Sequence, residues 1–231
     1  LAQLGNTFHM LGKDEPATEH LTKALTLARE EKKPVLVAGI LNDLGNALTA
    51  RRQFAEAIDV YAESRSLATE SKQQALAATA QINGAMALLQ NQQVGEAHRH
   101  LDQAWSDVRG LGDSQAKTAG LLNIGLGYQE LLAASTGKSG AARKSDGGKG
   151  RATEAVASPG AASGLLRQSS DAFTAAAEVA GRIGDARGQS YAWGYLGGVR
   201  EQEHRNPEAL EYTRKATFAA QQVNAPESLY R

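Results

Sequence analysis

The chain has 231 residues, 42% of them hydrophobic and 5% aromatic, and its 25 Lys plus Arg balance 25 Asp plus Glu. That balance leaves no global field to draw in nucleic acid or an anionic membrane, so neither is an expected partner. The lack of cysteine excludes disulfides, thiolate-ligated zinc and a cysteine nucleophile within these residues, and it fits a reducing compartment, with the cytoplasm as the expected location.

Small residues recur every 40 positions, at Gly5, Gly45, Ala85 and Gly125 and again at Ala17, Ala57 and Ala97. Large apolar residues keep step at Leu21, Tyr61 and Leu101, as do the small Ala24, Ser64 and Ala104. One helical hairpin cannot bury its own apolar faces, so such copies must stack. The small residues let helices approach, and the large one fills the space between them. The predicted fold is all-α: a right-handed superhelical solenoid of antiparallel helix pairs, running through residues 1–231.

The first unit covers residues 1–33, with a second helix over 15–29. Its first helix is already under way at Leu1, so the chain is read as a piece of a longer protein. The second unit, 34–72, opens on Pro34, whose missing N–H costs nothing in a first helical turn. Phe54, Ala57, Ile58, Tyr61 and Ala68 make one buried stripe in its second helix, and residues 41–68 are the best-preserved copy. The third unit covers 73–111. Gly112-Asp113 reads as a helix stop followed by an N-cap, and Gly184-Asp185 repeats it.

The fourth unit, 112–184, carries a first helix over 114–132 and then a Gly-, Ala- and Ser-rich stretch, 134–165. No apolar periodicity survives there, which reads as a flexible insertion. The pattern resumes near Leu166, and Phe173 takes the place of Tyr61. The fifth unit, 185–225, again sets Ala209 twelve residues after Gly197, with Pro207 opening its second helix. Residues 226–231 look like the start of a sixth.

The series Leu44-Gly45, Ala57, Tyr61 and Ser64, recurring in register, resembles the tetratricopeptide repeat. The 40-residue period is similar to the long-repeat class of kinesin light chains and spindle-orientation adaptors, whose Leu-Gly-Asn appears here at Leu4-Gly5-Asn6 and Leu44-Gly45-Asn46. Ser190-Tyr191-Ala192-Trp193-Gly194-Tyr195-Leu196-Gly197 and residues 218–231 resemble the repeat region that precedes a caspase-like CHAT peptidase domain in bacterial proteins. That resemblance implies a regulatory or sensing arm, with catalytic His and Cys lying after Arg231.

No cofactor or metal is expected. His98 and His100 are two apart and diverge on a helix, whereas shared ligation needs three or four. Gly137-Lys138-Ser139 lacks the glycine a phosphate loop needs five residues earlier, where Leu132 stands, and lacks a preceding strand. No acid, base, nucleophile and oxyanion set converges, so the chain is not read as an enzyme.

In the repeat fold the first helix of each unit lines the concave face. The register places Asn6, Asn42, Asp43, Asn46, Asn83, Asn123, Tyr191 and Tyr195 there as exposed positions. Asn is a poor mid-helix residue, and its amide can clasp the backbone of an extended peptide. The same residues can instead bridge neighbouring helices. The column of Asn6 and Asn46 breaks at Met86, Leu126 and Gly198, and the basic positions of the clamp for acidic chaperone tails are absent. The expected function is protein–protein recognition in the concave groove, with the insertion as a cover; the competing reading is a self-associating structural scaffold.

Overall fold

The computed structural model describes residues 1–136 and 159–222. Among them lie ten helices and no strand: α1 (Ala2–Met10), α2 (Asp14–Glu30), α3 (Pro34–Ala50), α4 (Phe54–Glu70), α5 (Gln74–Gln90), α6 (Val94–Arg109), α7 (Gln115–Ser135), α8 (Pro159–Arg182), α9 (Ala186–Gln202) and α10 (Asn206–Gln222). The fold is an all-α, right-handed arrangement of paired antiparallel helices. No described helix is long and apolar enough to cross a membrane.

Two compact units form, Leu1–Gly112 and Asp113–Arg231. In the first, each of α1 to α5 packs on the next, as far as α6, and α3 also touches α1 and α5. In the second, α7 to α10 pack in the same sequential way and α7 also touches α9.

The repeat spacing has a direct steric meaning. A Cβ on Gly45 would lie 2.5 Å from Cε1 of Tyr61, and one on Gly5 would lie 2.7 Å from Cγ of Leu21. Gly125 lies equally tight under the ring of Phe173. Each large side chain is buried on top of its glycine, and Ala17, Ala57 and Ala97 beside them are fully buried. In the third unit Ala85 takes the glycine's place and the large residue is Leu101, with both fully buried.

The turns repeat just as regularly, through a feature the composition does not advertise. Gly12, Lys32, Arg52, Lys72, Gln92, Gly184 and His204 all adopt positive φ, between 53° and 70°. In each case the next residue's N–H reaches back five residues, as Gln53 N does to Leu48 O (2.9 Å) and Gln93 N to Leu88 O (2.9 Å). This is the Schellman closure, which satisfies a carbonyl at the helix end and redirects the chain. A side chain in that region is unfavourable, so only two of the seven sites being glycine is a cost the stacked helices sustain.

Two expectations need correction. The insertion read over 134–165 is helical at both edges, since α7 runs through Ser135 and α8 begins at Pro159. Proline is favourable at a first helical position, and Leu165 is already buried on this extended α8. Residues 137–158 lie outside the described part, with Gly137-Lys138-Ser139 among them, as do 226–231. The N-cap of α7 is Ser114, whose Oγ accepts from Lys117 N at 3.2 Å, rather than Asp113. Asp113 is instead held by Arg182 through Nε (2.5 Å) and Nη2 (3.2 Å). Asp185 does cap α9, accepting from Gly188 N at 2.9 Å.

Gly45→Ala is expected to destabilise the first unit by about 1–2 kcal/mol, because overpacking outweighs the better helix propensity of alanine. Adding Tyr61→Leu recreates the Ala85–Leu101 pairing, so the double variant should be more stable than the summed single costs by about 1 kcal/mol. Urea unfolding of the four-member cycle measures this. Gln92→Gly should raise stability by about 0.5–1 kcal/mol by relieving the left-handed turn, read as a higher urea midpoint at unchanged slope.

Candidate protein-interaction site

Because α3 touches both α1 and α5, the first helices of the first unit lie side by side and their polar residues meet. Asn6 Nδ2 donates to Asp43 Oδ2 at 2.7 Å. Asn83 Nδ2 lies between two acceptors, Asn42 Oδ1 at 3.0 Å and Asn46 Oδ1 at 3.3 Å. The pairs Asn6–Asp43 and Asn46–Asn83 are each 37 residues apart. One rung is therefore built twice, from one register position to another on the next repeat. Tyr61 extends the second rung, its hydroxyl donating to Asn46 Oδ1 at 2.7 Å, with Thr49 Oγ1 3.5 Å away.

Asn6, Asp43, Asn46 and Asn83 are half-buried. Asn42, expected on the exposed face, is only 8% exposed. It follows Leu41 on the buried side of α3, and the carbonyl facing Asn83 satisfies the amide there. The role of Tyr61 was hidden because its position holds leucine in two other repeats, where no hydroxyl exists to join a polar network.

Burial sets the protonation behaviour. Desolvation pushes the Asp43 carboxyl above the usual carboxylate range, opposed by the side chains of Asn6 and Asn42 and by nearby His9. Tyr61 is pushed up to about 12, chiefly by burial, so its hydroxyl stays a donor at neutral pH.

The other predicted positions belong to the second unit. Asn123 is exposed, and Tyr191 and Tyr195 are half-buried. Tyr195 stacks on Phe173, with ring centroids 5.0 Å apart and planes at 25°. Leu126, Trp193 and Tyr212 pack on the same cluster. The rung that joins positions 46 and 83 in the first unit falls here on Leu126 and Tyr195, so it is apolar and aromatic, while Asn123 keeps an exposed amide at the register position of Asn83.

His98 Nε2 lies 3.7 Å from Asp102 Oδ1, and the His100 carbonyl accepts from Gln81 Nε2 at 3.1 Å. Among the described residues no group of three or more His, Cys, Asp or Glu is placed to hold a metal ion.

A tetratricopeptide-repeat family model matches residues 37–70, the α3–α4 hairpin. The fold is TPR-like. A Rap protein complexed with Competence and Sporulation Factor is similar to it, with a TM-score of 0.67 at 14% identity over 99% of this chain and 55% of that chain. BtubC (BKLC) from P. vanneervenii gives 0.65 at 17% identity, over 96% and 78% of the two chains. A Podosopora anserina protein assigned as a kinesin light chain, with nearly identical TPR-like repeats, gives 0.63 at 14% identity, over 96% and 94%. No curated protein matches the sequence.

A carboxyl raised on folding binds its proton more tightly in the folded state than in the unfolded chain. Its stabilising contribution is present at acid pH and lost as pH rises through the folded value. Asp43→Asn places at position 43 the residue found at position 83. It is expected to raise stability at neutral pH, with the advantage over the natural chain shrinking as pH falls below the folded value of Asp43. Urea midpoints of both chains across the acid-to-neutral range test the sign.

Proposed function

We propose that this chain is a protein-recognition module in which the first-helix face of the Leu1–Gly112 unit clasps the backbone of an extended peptide. The Asn46–Asn83 rung carries the reading. Asn83 spends its N–H donors on Asn42 and Asn46, and Asn46 spends its carbonyl on Asn83 and Tyr61. Asn46 Nδ2 and Asn83 Oδ1 then remain without a hydrogen bond among the described residues. A donor and an acceptor on adjacent helices match the C=O and N–H that an extended backbone presents. The Rap protein complexed with Competence and Sporulation Factor, to which this chain is similar in fold, supports recognition as a use of this architecture.

The proposal extends to a regulatory or sensing arm of a larger protein with a CHAT-type protease as effector, supported by the resemblance at residues 190–197 and 218–231. A cytoplasmic setting belongs to the same reading, supported by the cysteine-free composition. A self-associating scaffold is the second reading, favoured by the exposed Met10 and Leu11 at the end of α1 and by Leu210 and Phe218 on α10. Concentration-dependent light scattering separates the two, since a monomer at high concentration opposes the scaffold.

Asn83→Ala tests the clasp; it also removes the donor to buried Asn42, so the urea midpoint is read beside binding, whereas Asn46→Ala would take the acceptor from the Tyr61 hydroxyl. Peptides selected on the natural chain from a random library should lose affinity for the variant by a similar factor whatever their sequence, roughly five- to tenfold, at unchanged helicity. Equal binding by both chains rejects the clasp.

A further inference from the structure

A cavity of about 300 Å³ is lined by α4, α5 and α6. Its origin is visible in the register. In α3, Ile40, Leu41 and Leu44 are large, apolar and buried. The matching positions in α5, 40 residues on, are Ala80, Gln81 and Gly84, and all three line the cavity. The next copies in α7 return to Leu121 and Ile124 at the second and third of these positions. At the second and third positions the third repeat alone has given up bulk, and a Cβ added to Gly84 would meet only Tyr61 Cβ, at 3.4 Å.

Gln81 is the second observation. It is 3% exposed, and its Nε2 donates to the His100 carbonyl at 3.1 Å. Its Oε1 is buried with no hydrogen-bond partner among the described residues. That donor contact fixes the amide orientation, so the stranded atom is the acceptor. A buried unpaired acceptor is costly, whereas leucine at the same place in α3 carries no such cost. Around it, Ile58 and Leu88 supply apolar wall, and half-buried Arg65 also lines the space. The Arg65 guanidinium makes no ion pair or hydrogen bond among the described residues. Glu70 lines the cavity too, but its Oε1 accepts from Ser66 Oγ at 3.0 Å.

We propose that this cavity binds a small amphipathic carboxylate: an apolar aromatic body seated against α4, α5 and α6 with one side open to solvent, an N–H or O–H that donates to Gln81 Oε1, and a carboxylate that meets Arg65. The volume suits a small ligand, and an indole-type ring combines an apolar body with a single donor. This site is separate from the asparagine rungs, and its test does not depend on them.

The probe is indole-3-acetate, titrated into the full 231-residue chain by calorimetry. Saturable one-to-one binding is expected. Gly84→Leu and Gln81→Leu each restore a side chain that α3 carries, so both variants should keep cooperative unfolding, and Gln81→Leu should melt higher. Gly84→Leu should abolish binding. Gln81→Leu should weaken it roughly five- to tenfold, and naphthalene-1-acetate, which lacks the donor, should bind the natural chain and the Gln81→Leu variant alike. Arg65→Gln should weaken indole-3-acetate but leave neutral 3-methylindole unchanged. Absence of saturable binding, or equal binding to the natural chain and Gly84→Leu, overturns the proposal. So does cavity occupancy by a tryptophan side chain of a peptide when free indole-3-acetate does not bind, which would make the cavity a protein anchor.

Discussion

Tyr61 lies across Gly45 so closely that even one methyl group on the glycine would collide with the ring. The same arrangement sets Leu21 over Gly5 and Phe173 over Gly125. This contact brings the two helices of a hairpin together at a fixed depth, because the large side chain needs the missing one beneath it. Burying an aromatic or leucine side chain there contributes roughly 1.5–3 kcal/mol per repeat. That is enough to matter in a stack where each repeat contacts only its neighbours. With the pairing depth set, the first helices come side by side, and a rung between them becomes possible.

The asparagines sit on that consequence. A mid-helix Asn carries a propensity cost, but here its amide is used between helices, and both rungs share one spacing. Tyr61 joins the two levels of the structure. Its ring fills the space over Gly45, its Cβ borders the cavity opposite Gly84, and its hydroxyl reaches Asn46. Leucine at this position would fill the space and border the cavity but bring no hydroxyl to the rung.

How much was legible depended on what each feature needs from a side chain. Repeat boundaries, Pro34 and the glycine-to-bulk spacing were readable because each demands a particular residue type at a particular place. The left-handed turns at Lys32, Arg52, Lys72, Gln92 and His204 were not, because the backbone bonds that enforce them involve no side chain. The side of α3 on which Asn42 lies is not legible in the sequence for a related reason. A polar residue in a repeat can be buried when its neighbour supplies the partner, and the partner was Asn83, 41 residues away. The edges of the stretch 134–165 read as loop because alanine and glycine carry no periodicity, yet α7 continues through Ser135 and α8 holds the later edge, where Leu165 is buried. The cavity was present in the sequence as the change from Ile40, Leu41 and Leu44 to Ala80, Gln81 and Gly84. It could be read only by comparing a repeat with its neighbour rather than with a general pattern.

The two units then differ where the shared geometry leaves them free to differ. Leu126 and Tyr195 occupy in the second unit the register positions of Asn46 and Asn83 in the first. The first unit therefore presents paired amides that compete well for a peptide backbone, whereas the second presents ring faces and aliphatic surface beside the single exposed amide of Asn123. The glycine contact is a packing requirement internal to each hairpin, so it recurs as Gly45–Tyr61 and Gly125–Phe173 while the rung residues change. A stack built this way can alter the chemistry of its binding face one rung at a time without disturbing the contact that folds it.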